Sequence, residues 1–270
     1  CHAHIVDPGR FPFVDGPGYR PKPHETGTAE AYAETLSANG VSHALLVQPS
    51  GYGSDNSAML DAMRRFPGRF RAIAVLDAAA TSDRTMADLS EAGVVGVRFN
   101  LVSYDRDALS RPEAARFLDR LADHGWYAQI YADDDQWPAL AELLRPHKAK
   151  VLIDHFGIRD ISVGVDQPGF RAVLALGREG RAAVKLSGPF RISRTTAPYA
   201  DLEPFAEALL AAFGLERCVW GSDWPFLDCA TPVEYAQALA ARYRWLPDAD
   251  DRRQVLWRTP AALFGFGEAA

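Results

Sequence analysis

The chain has 270 residues, of which 48% are hydrophobic, and its 29 Lys and Arg against 35 Asp and Glu give a formal net charge of −6. This composition excludes a wholly disordered chain, and the negative charge excludes the basic footprint of a nucleic-acid or anionic-membrane binder. No uncharged apolar run approaches the roughly 18 residues of a membrane span, so we expect no membrane partner. Three cysteines are too few for a disulfide scaffold or a Cys-rich zinc site, which favours a cytoplasmic location.

Short β-type runs alternate with longer helical patterns along the whole chain. Most runs are nearly continuous stretches of Val, Ile, Leu and Ala, as is typical of parallel strands buried on both faces. Eight such strands joined by helices predict a single α/β domain over residues 1–270 with the (β/α)8 TIM-barrel fold. An open doubly wound sheet is the alternative, but no G-x-G-x-x-G motif follows any strand. The predicted strands are His4–Val6, Ala44–Gln48, Phe70–Leu76, Val94–Phe99, Trp126–Tyr131, Lys150–Ile153, Ala182–Leu186 and Arg217–Trp220.

The segments between the strands carry boundary signals. Capping boxes at Ser110–Glu113 and Thr231–Glu234 predict that helices begin there. The polar, Pro- and Gly-rich stretch Asp7–Thr28 predicts a loop over the mouth of the barrel. The chain opens on Cys1, without the basic segment and apolar stretch that would indicate a signal peptide.

In a (β/α)8 barrel the active site forms at the carboxyl ends of the strands, so polar residues there are candidates for function. His2 and His4 have the i, i+2 spacing that points both rings to one face of a strand, here the barrel interior. Each candidate alone is more often a packing, capping or salt-bridged residue, but their joint placement at strand ends predicts an active site. The other candidates at strand ends are Ser50, Arg98, Tyr131, His155, Arg191 and Asp223.

Longer strings around these residues carry a family resemblance. An H-x-H motif on the first strand, a His after a middle strand and an Asp after the eighth resemble the amidohydrolase superfamily, amidohydrolase 2 type. More specific strings, in order along essentially the whole chain, resemble its lactone-hydrolysing branch. In such proteins an Asp usually precedes the opening motif, so we expect residues upstream of Cys1. The strings are Cys1-His2-Ala3-His4, Val47-Gln48-Pro49-Ser50, Gly96-Val97-Arg98-Phe99-Asn100, Asp154-His155-Phe156-Gly157, Lys185-Leu186-Ser187-Gly188-Pro189-Phe190-Arg191 and Gly221-Ser222-Asp223-Trp224-Pro225.

The resemblance implies hydrolysis of a lactone, a small-molecule substrate that bears a carboxylate. Opening a lactone requires an activated water, a polarised carbonyl and stabilisation of the tetrahedral oxyanion. Asp223 would be the general base that activates the water. The histidines that would hydrogen-bond the carbonyl and stabilise the developing charge are His2, His4 and His155.

The resemblance also implies a set of substrate-binding residues. Arg98 and Arg191 are suited to bidentate recognition of a carboxylate. Ser50 and Tyr131 match substrate-contacting positions of the lactone-hydrolysing branch, and so does Tyr19, which the mouth loop would supply.

Whether the site holds a metal is left open by the resemblance. His2, His4, His155 and Asp223 form a set that suits a single zinc ion with one position free for water. The fifth predicted strand, however, ends in Tyr131 where many zinc-dependent relatives have a His, and no carboxylated-lysine candidate is evident. Metal-free and zinc-containing members both occur in the resembled branch. We expect a reaction that requires no cofactor, with a single zinc as the alternative.

One departure from the family pattern concerns the substrate. Members that open a pyrone dicarboxylate carry a second Arg six positions after the one matched by Arg98. Here Tyr104 occupies that position, and Arg106 follows two residues later. Because one carboxylate clamp is lost unless Arg106 reaches into the site, we expect a lactone with one carboxylate, of the muconolactone or sugar-acid lactone type.

Three other functions remain open at this point. A zinc-dependent non-oxidative decarboxylase of the same superfamily shares the His and Asp set. A lactone isomerase would move the acyl group to an internal hydroxyl without water. A binding protein for small carboxylates without catalytic activity is the third, because a fold does not fix a function. The sequence does not predict the oligomeric state.

Overall fold

A computed structural model describes residues 1–229 and 232–267. Within this part of the chain, seven strands form one sheet whose order follows the sequence, and every neighbouring pair is parallel. A helix lies between each strand and the next, which is the pattern of an α/β barrel. The strands are β1 Ala44–Val47, β2 Phe70–Ala74, β3 Val94–Asn100, β4 Tyr127–Tyr131, β5 Lys150–Ile153, β6 Ala182–Ser187 and β7 Cys218–Gly221.

The N-terminal residues lie between the two edges of this sheet. Ala3 forms isolated parallel bridges with Leu46 of β1 and with Trp224, beyond β7. The Val47 N–H donates to the Ala3 carbonyl and the His4 N–H to the Trp224 carbonyl, each at 2.8 Å. The first and last strands are therefore connected through a single paired residue.

The prediction of a regular first strand at residues 4–6 is wrong. Pairing with the sheet stops after His4, and Val6 instead forms an antiparallel bridge with Gly27, at the other end of the mouth loop. Because the chain turns away so early, the described residues form a curled sheet of seven strands rather than eight.

Of the two predicted capping boxes, the structure describes the first completely and the second only in part. One helix begins at Pro112 with Arg111 at its N-cap, so Ser110 is not the cap; Thr231 lies outside the described residues, and the helix after it begins at Tyr235. No helix in the described part of the chain is both long and apolar enough to cross a bilayer. The helices are α1 Ala29–Ala38, α2 Ser57–Arg65, α3 Asp83–Glu91, α4 Pro112–Asp123, α5 Trp137–Leu144, α6 Pro168–Arg178, α7 Glu203–Phe213, α8 Tyr235–Ala240, α9 Arg242–Trp245, α10 Ala249–Arg253 and α11 Thr259–Phe264.

Side chains two residues apart on a strand line one face, and this alternation stacks the interior in layers. Nearer the amino ends of the strands, the side chains that point into the barrel form an apolar cluster. Two residues further towards the carboxyl ends of β4, β5 and β6, the side chains that point inwards are polar and buried: Gln129, Asp154 and Lys185. The interior therefore changes from apolar to polar towards the carboxyl ends of the strands. The buried apolar cluster contains Leu45, Val47, Ile73, Tyr127, Leu152, Ala183, Val219, Phe264 and Phe266.

A β-bulge in β3 sets the direction of Arg98. The pairing of β3 with β2 skips Val95 between the partners of Ala72 and Ile73. In a regular strand Val95 and Arg98, three residues apart, would face opposite sides. With the extra residue, Val95 packs against the apolar cluster while Arg98 contacts Asp154 in the polar layer above it.

The mouth loop, residues 7–28, lies where the sequence predicts it. It contains one short 3-10 turn, Pro23–Glu25, and is otherwise irregular. The Val14 N–H donates to the carbonyl of Gly51, just beyond β1, at 3.1 Å, and a carboxylate oxygen of Glu25 accepts from the Asp228 N–H, beyond β7, at 2.8 Å. The loop is thus held at the carboxyl ends of the first and last strands.

Candidate active site

Asp223 lies at the centre of a buried polar cluster at the carboxyl end of the sheet. It follows β7 by two residues, and its side chain is fully buried. Its φ of +61° is left-handed, a strained conformation that clusters at functional sites when a residue other than glycine adopts it. The Asp223 N–H donates to the His2 carbonyl at 2.8 Å, so the N-terminal segment holds this backbone in place.

Three imidazole rings face the Asp223 carboxylate. The Nε2 atoms of His4 and His2 lie 3.3 and 3.7 Å from Oδ1, and Nε2 of His155 lies 3.9 Å from Oδ2. The His2 ring centroid is 5.0 Å from that of His4 and 4.6 Å from that of His155, and all three rings are buried. The structure thus brings together the four residues predicted to be catalytic.

Burial keeps these imidazoles neutral at neutral pH. Desolvation lowers the pKa of His155 to about 4, and it also lowers the pKa values of His2 and His4. Nδ1 of His4 lies 2.8 Å from the Val47 carbonyl, which only accepts hydrogen bonds. His4 therefore carries its proton on Nδ1, and its Nε2 lone pair faces Asp223.

His155 is positioned by its neighbours on β6. Its Nδ1 lies 3.0 Å from the Ser187 hydroxyl. Gly188, the next residue, has a φ of +60°, and a Cβ there would lie 2.7 Å from His155 Nδ1. Only glycine combines this backbone conformation with so close an approach to the ring.

Arg191 forms an ion pair with Asp223. Its Nε donates to Oδ2 of the carboxylate, and its side chain is 22% exposed, so the guanidinium extends from the buried cluster towards solvent. Burial acts to raise the pKa of Asp223, but the charge of Arg191 holds it well below its ordinary value. Asp223 is therefore an ionised carboxylate whose charge is already neutralised by a cation.

Arg98 and Tyr131 lie on the adjacent side of the cluster. The guanidinium of Arg98 is 5.7 Å from the Tyr131 ring centroid, and its Nε is 3.4 Å from Asp154 Oδ2. The Tyr131 ring meets His155 edge-on, with centroids 5.2 Å apart. Both predicted substrate-binding residues thus contact the same buried centre.

Ser50 and Tyr19 lie at the border of this centre. Ser50 lines a narrow cleft together with Arg98 and Tyr104. Its hydroxyl accepts a hydrogen bond from the Tyr19 N–H at 3.2 Å, whereas the Tyr19 hydroxyl donates to Glu25 at 2.6 Å. The mouth loop therefore brings Tyr19 beside Ser50, with its phenol directed to a carboxylate of the same loop.

Four residues of this region were missed by the sequence reasoning. Three of them, Gln129, Asp154 and Lys185, form the polar layer beneath the histidines. The sequence signal that could have revealed this layer is Lys185 itself, a lysine within an apolar strand, whose side chain points to the same face as that of Ser187 two residues later. Arg159 follows His155 by four residues. Its guanidinium contacts the Tyr131 hydroxyl and lies 5.4 Å from that ring's centroid.

The buried cluster contains side chains of the kinds that ligate a single zinc ion. Ligand atoms of His2, His155 and Asp223 all lie within 4.8 Å of one another, and His4 adjoins them. His2 Nε2 and Asp223 Oδ1 are buried polar atoms that lack a hydrogen-bond partner among the described residues. Imidazole and carboxylate are ligands that zinc takes, so these residues fit the ion in type.

Comparisons with known proteins identify the family of this chain. The chain matches the amidohydrolase family model over residues 1–266. It is 30% identical over 269 residues to a 4-sulfomuconolactone hydrolase of Hydrogenophaga intermedia, covering 98% of this chain and 87% of the relative. It is 33% identical over 236 residues to a 2-pyrone-4,6-dicarboxylate hydrolase of Comamonas testosteroni, covering 83% and 75%. A D-galactarolactone isomerase of Agrobacterium fabrum is 27% identical over 273 residues, covering 97% and 88%.

Three solved structures are similar to this chain in fold. A probable 2-pyrone-4,6-dicarboxylic acid hydrolase from Acinetobacter baumannii, with citric acid bound, has a TM-score of 0.88 and 29% identity over 98% of each chain. A zinc-containing amidohydrolase from Burkholderia multivorans, at 0.76 and 19% over 98% of each chain, shares the fold. So does a 2,6-dihydroxybenzoate decarboxylase from Rhizobium, at 0.65 and 15% over 98% and 96%. Since the family model covers nearly the whole chain, the protein belongs to the amidohydrolase family, as its motifs predicted.

Proposed function

We propose that this protein hydrolyses the ester bond of a lactone that bears a carboxylate, with Asp223 as the general base. The observation that carries the proposal is the convergence of three neutral imidazoles and one guanidinium on a single buried carboxylate. The relatives named as lactone hydrolases support the reaction class.

The water would be held between two acceptors. His4 Nε2 and Asp223 Oδ1 lie 3.3 Å apart, and neither carries a hydrogen in the neutral imidazole and ionised carboxylate. A water that donates one hydrogen to each presents its oxygen lone pair to the substrate. We therefore assign to His4 the orientation of this water, with Asp223 taking the proton as the oxygen attacks.

The lactone carbonyl would lie against His2 and His155. A neutral imidazole that carries hydrogen on Nε2 donates to the carbonyl oxygen and stabilises the tetrahedral oxyanion. When the tetrahedral intermediate collapses, the bond from the carbonyl carbon to the ring oxygen breaks. The proton held by Asp223 then passes to that ring oxygen, and the product has a new carboxylic acid and a free hydroxyl or enol.

Arg191 links substrate binding to the base. Its guanidinium neutralises Asp223 and so weakens the carboxylate as a proton acceptor. A substrate carboxylate that binds Arg191 competes for the same cation, and the basicity of Asp223 rises. Carboxylate-bearing lactones would therefore activate the base that attacks them, while neutral lactones would not.

The surroundings of Arg98 support a substrate with one carboxylate at this end. Tyr104 lines the cleft beside Arg98, where its side chain offers a hydroxyl instead of a charge. Arg106 is 51% exposed and pairs with Asp133 at 2.8 Å and Asp135 at 3.1 Å, so it does not reach into the cleft. We propose a muconolactone or sugar-acid lactone as the substrate.

A panel of lactones assayed in 18O-labelled water tests both parts of this proposal. We expect one labelled oxygen in the product acid and a higher kcat/KM for lactones with one carboxylate than for a pyrone dicarboxylate. Tyr104→Arg should raise kcat/KM for the dicarboxylate about tenfold or more, because it restores a charged hydrogen bond. A clear preference of the unaltered protein for the pyrone dicarboxylate would refute the substrate assignment.

The same assay separates the alternatives. An unlabelled, rearranged product indicates a lactone isomerase, the second candidate, which the galactarolactone isomerase relative favours. Release of CO2 indicates a decarboxylase, for which the structural likeness gives the fold alone.

We further propose that the reaction requires no metal. The cluster contains two carboxylates, Asp154 and Asp223, and three cations, Lys185, Arg98 and Arg191. The cations already outnumber the carboxylates by one, so no uncompensated negative charge is left for a divalent ion to neutralise. Zinc held by His2, His155 and Asp223, with His4 adjoining, would polarise the carbonyl and lower the pKa of water.

Metal analysis tests this second proposal. We expect purified protein to hold no stoichiometric zinc by emission spectroscopy and to keep its kcat after dialysis against a chelator, because the histidines and Asp223 suffice. The control is the dialysed protein with zinc restored. Stoichiometric zinc together with chelator-sensitive turnover would contradict the proposal.

Two further expectations concern the domain organisation and the cellular location. We propose that the N-terminal segment around Ala3 stands in for the eighth strand of a (β/α)8 barrel, so that residues 1–270 form one domain. The three cysteines are free, which supports a reducing, cytoplasmic location.

A further inference from the structure

Lys185 lies in the middle of β6 and is fully buried, which is rare for a lysine. Its Nζ is 2.6 Å from Gln129 Oε1, 3.1 Å from Asp154 Oδ1 and 3.2 Å from His2 Nδ1. A lysine ammonium has three hydrogens and no lone pair. Only the contacts with Gln129 and His2 have hydrogen-bond geometry, and the ammonium lies against the Asp154 carboxylate as an ion pair. The contact with His2 is a hydrogen bond from the ammonium only if Nδ1 accepts.

His2 must then accept through Nδ1. A neutral imidazole carries a single hydrogen, so when Nδ1 accepts, the hydrogen is on Nε2. Nε2 of His2 points to Asp223 Oδ1 at 3.7 Å and lacks a hydrogen-bond partner among the described residues. It is thus a buried donor directed into the reaction centre.

Asp154 is the competing partner of His2. Its Oδ1 lies 3.2 Å from His2 Nδ1 and 3.1 Å from Lys185 Nζ, and neither contact has hydrogen-bond geometry, whereas the contact of Lys185 with His2 Nδ1 does. A hydrogen on Nδ1 would also point at the ammonium 3.2 Å away. The arrangement around His2 therefore favours donation by Lys185.

We propose that Lys185 is a positioning residue that fixes the tautomer of His2 with its hydrogen on Nε2. The catalytic consequence rests on the proposed function: His2 donates to the lactone carbonyl and does not present a lone pair. The tautomer also bears on zinc. A histidine that ligates a metal through Nε2 almost always donates its other N–H to an acceptor, and an ammonium cannot accept.

Removal of Lys185 should reverse the tautomer. In Lys185→Met, the nearest group to His2 Nδ1 is Asp154, which accepts from an N–H. The hydrogen then moves to Nδ1, and the Nε2 lone pair faces Asp223. Lys185→Gln keeps a hydrogen-bond donor, on a side chain one bond shorter, and should preserve the original tautomer. Lys150→Met, at an exposed strand end, is the matched control.

Nitrogen-15 NMR of the histidine side chains tests the proposal directly. In the unaltered protein we expect His2 with Nε2 protonated and Nδ1 unprotonated, and the reverse in Lys185→Met. Zinc binding measured by calorimetry should tighten at least about tenfold in Lys185→Met and stay unchanged in Lys185→Gln and Lys150→Met. With a lactone substrate, kcat should fall in Lys185→Met with little change in KM, and Lys185→Gln should restore most of it.

The proposal is overturned if the unaltered protein has His2 protonated on Nδ1, or if Lys185→Met leaves the tautomer unchanged. Because the spectrum of the unaltered protein decides the first point, a Lys185→Met protein that fails to fold does not remove the test. No substrate enters the NMR experiment, so a failure to find lactone turnover leaves its result intact. Conversely, turnover with the opposite tautomer would refute the role of Lys185 and leave the proposed function standing.

Discussion

Replacement of Asp223 by Asn is expected to lower kcat by about 10²- to 10⁴-fold, the usual contribution of a positioned general base. An amide of the same shape cannot take a proton from water, although it still fills the buried site. KM should not rise, because Arg98 and Arg191 remain to bind the carboxylate and Arg191 is released from its ion pair. Steady-state kinetics on the best lactone of the panel measures both constants.

Asp228→Asn is the matched control for this variant. Asp228 lies in the same loop, also has a positive φ, and is exposed. Asn tolerates the left-handed backbone at both positions, so neither variant should misfold. Turnover of Asp223→Asn equal to that of Asp228→Asn would remove Asp223 as the base.

Replacement of Asp154 by Asn should have the largest effect on stability. Asp154 is the buried anion between Lys185, at 3.1 Å, and Arg98, at 3.4 Å. Removing one partner from a buried ion pair leaves an uncompensated charge and costs about 3–5 kcal/mol. For a protein of this size, Tm should fall by roughly 6 °C or more. Denaturant unfolding and calorimetry measure both quantities.

The loss of unfolding free energy in Asp154→Asn should depend on pH. Burial acts to raise the pKa of Asp154, but the charges of Lys185 and Arg98 hold it well below its ordinary value. A depressed pKa contributes stability above the unfolded-state value of about 3.9, and that stability is lost as the pH falls below it. The difference in unfolding free energy between the two proteins should therefore narrow in acid.

Two further variants show whether a loss of stability in Asp154→Asn comes from the uncompensated buried charge. Asp154→Asn combined with Lys185→Met removes both charges and should recover part of the lost stability. Asp123→Asn, at an exposed position, should stay within about 0.5 kcal/mol. A loss for Asp154→Asn as small as that of Asp123→Asn would show that the buried network contributes little.

Much of the fold follows from local patterns. The continuous apolar runs predicted seven of the strands to within a few residues, because strands buried on both faces leave an unambiguous signal. The segment around Ala3 was harder. Whether it pairs depends on sheet edges some 43 and 220 residues away, which local sequence does not report.

The candidate site shows the same division. In the sequence, His2, His4, His155 and Asp223 lie on or directly after predicted strands, where position alone indicates a role. Lys185 was missed because an isolated lysine suggests exposure; its burial depends on an aspartate from another strand. The direction of Arg98 depends on the bulge at Val95, and the surface position of Arg106 depends on two acidic residues beyond β4.

Because Ala3 pairs both with β1 and with the segment after β7, we expect activity to appear late in folding. The Ser222 hydroxyl and the His2 carbonyl are 220 residues apart in sequence, among the most distant contacts the chain makes. Contacts of such separation form late, because the loop-closure entropy must be overcome first. The seven strands can pair from neighbour to neighbour before this junction closes. Two histidines and the proposed base lie at the junction itself, so we expect a refolding chain to gain its proposed catalytic centre only in the step that joins β1 to the segment after β7.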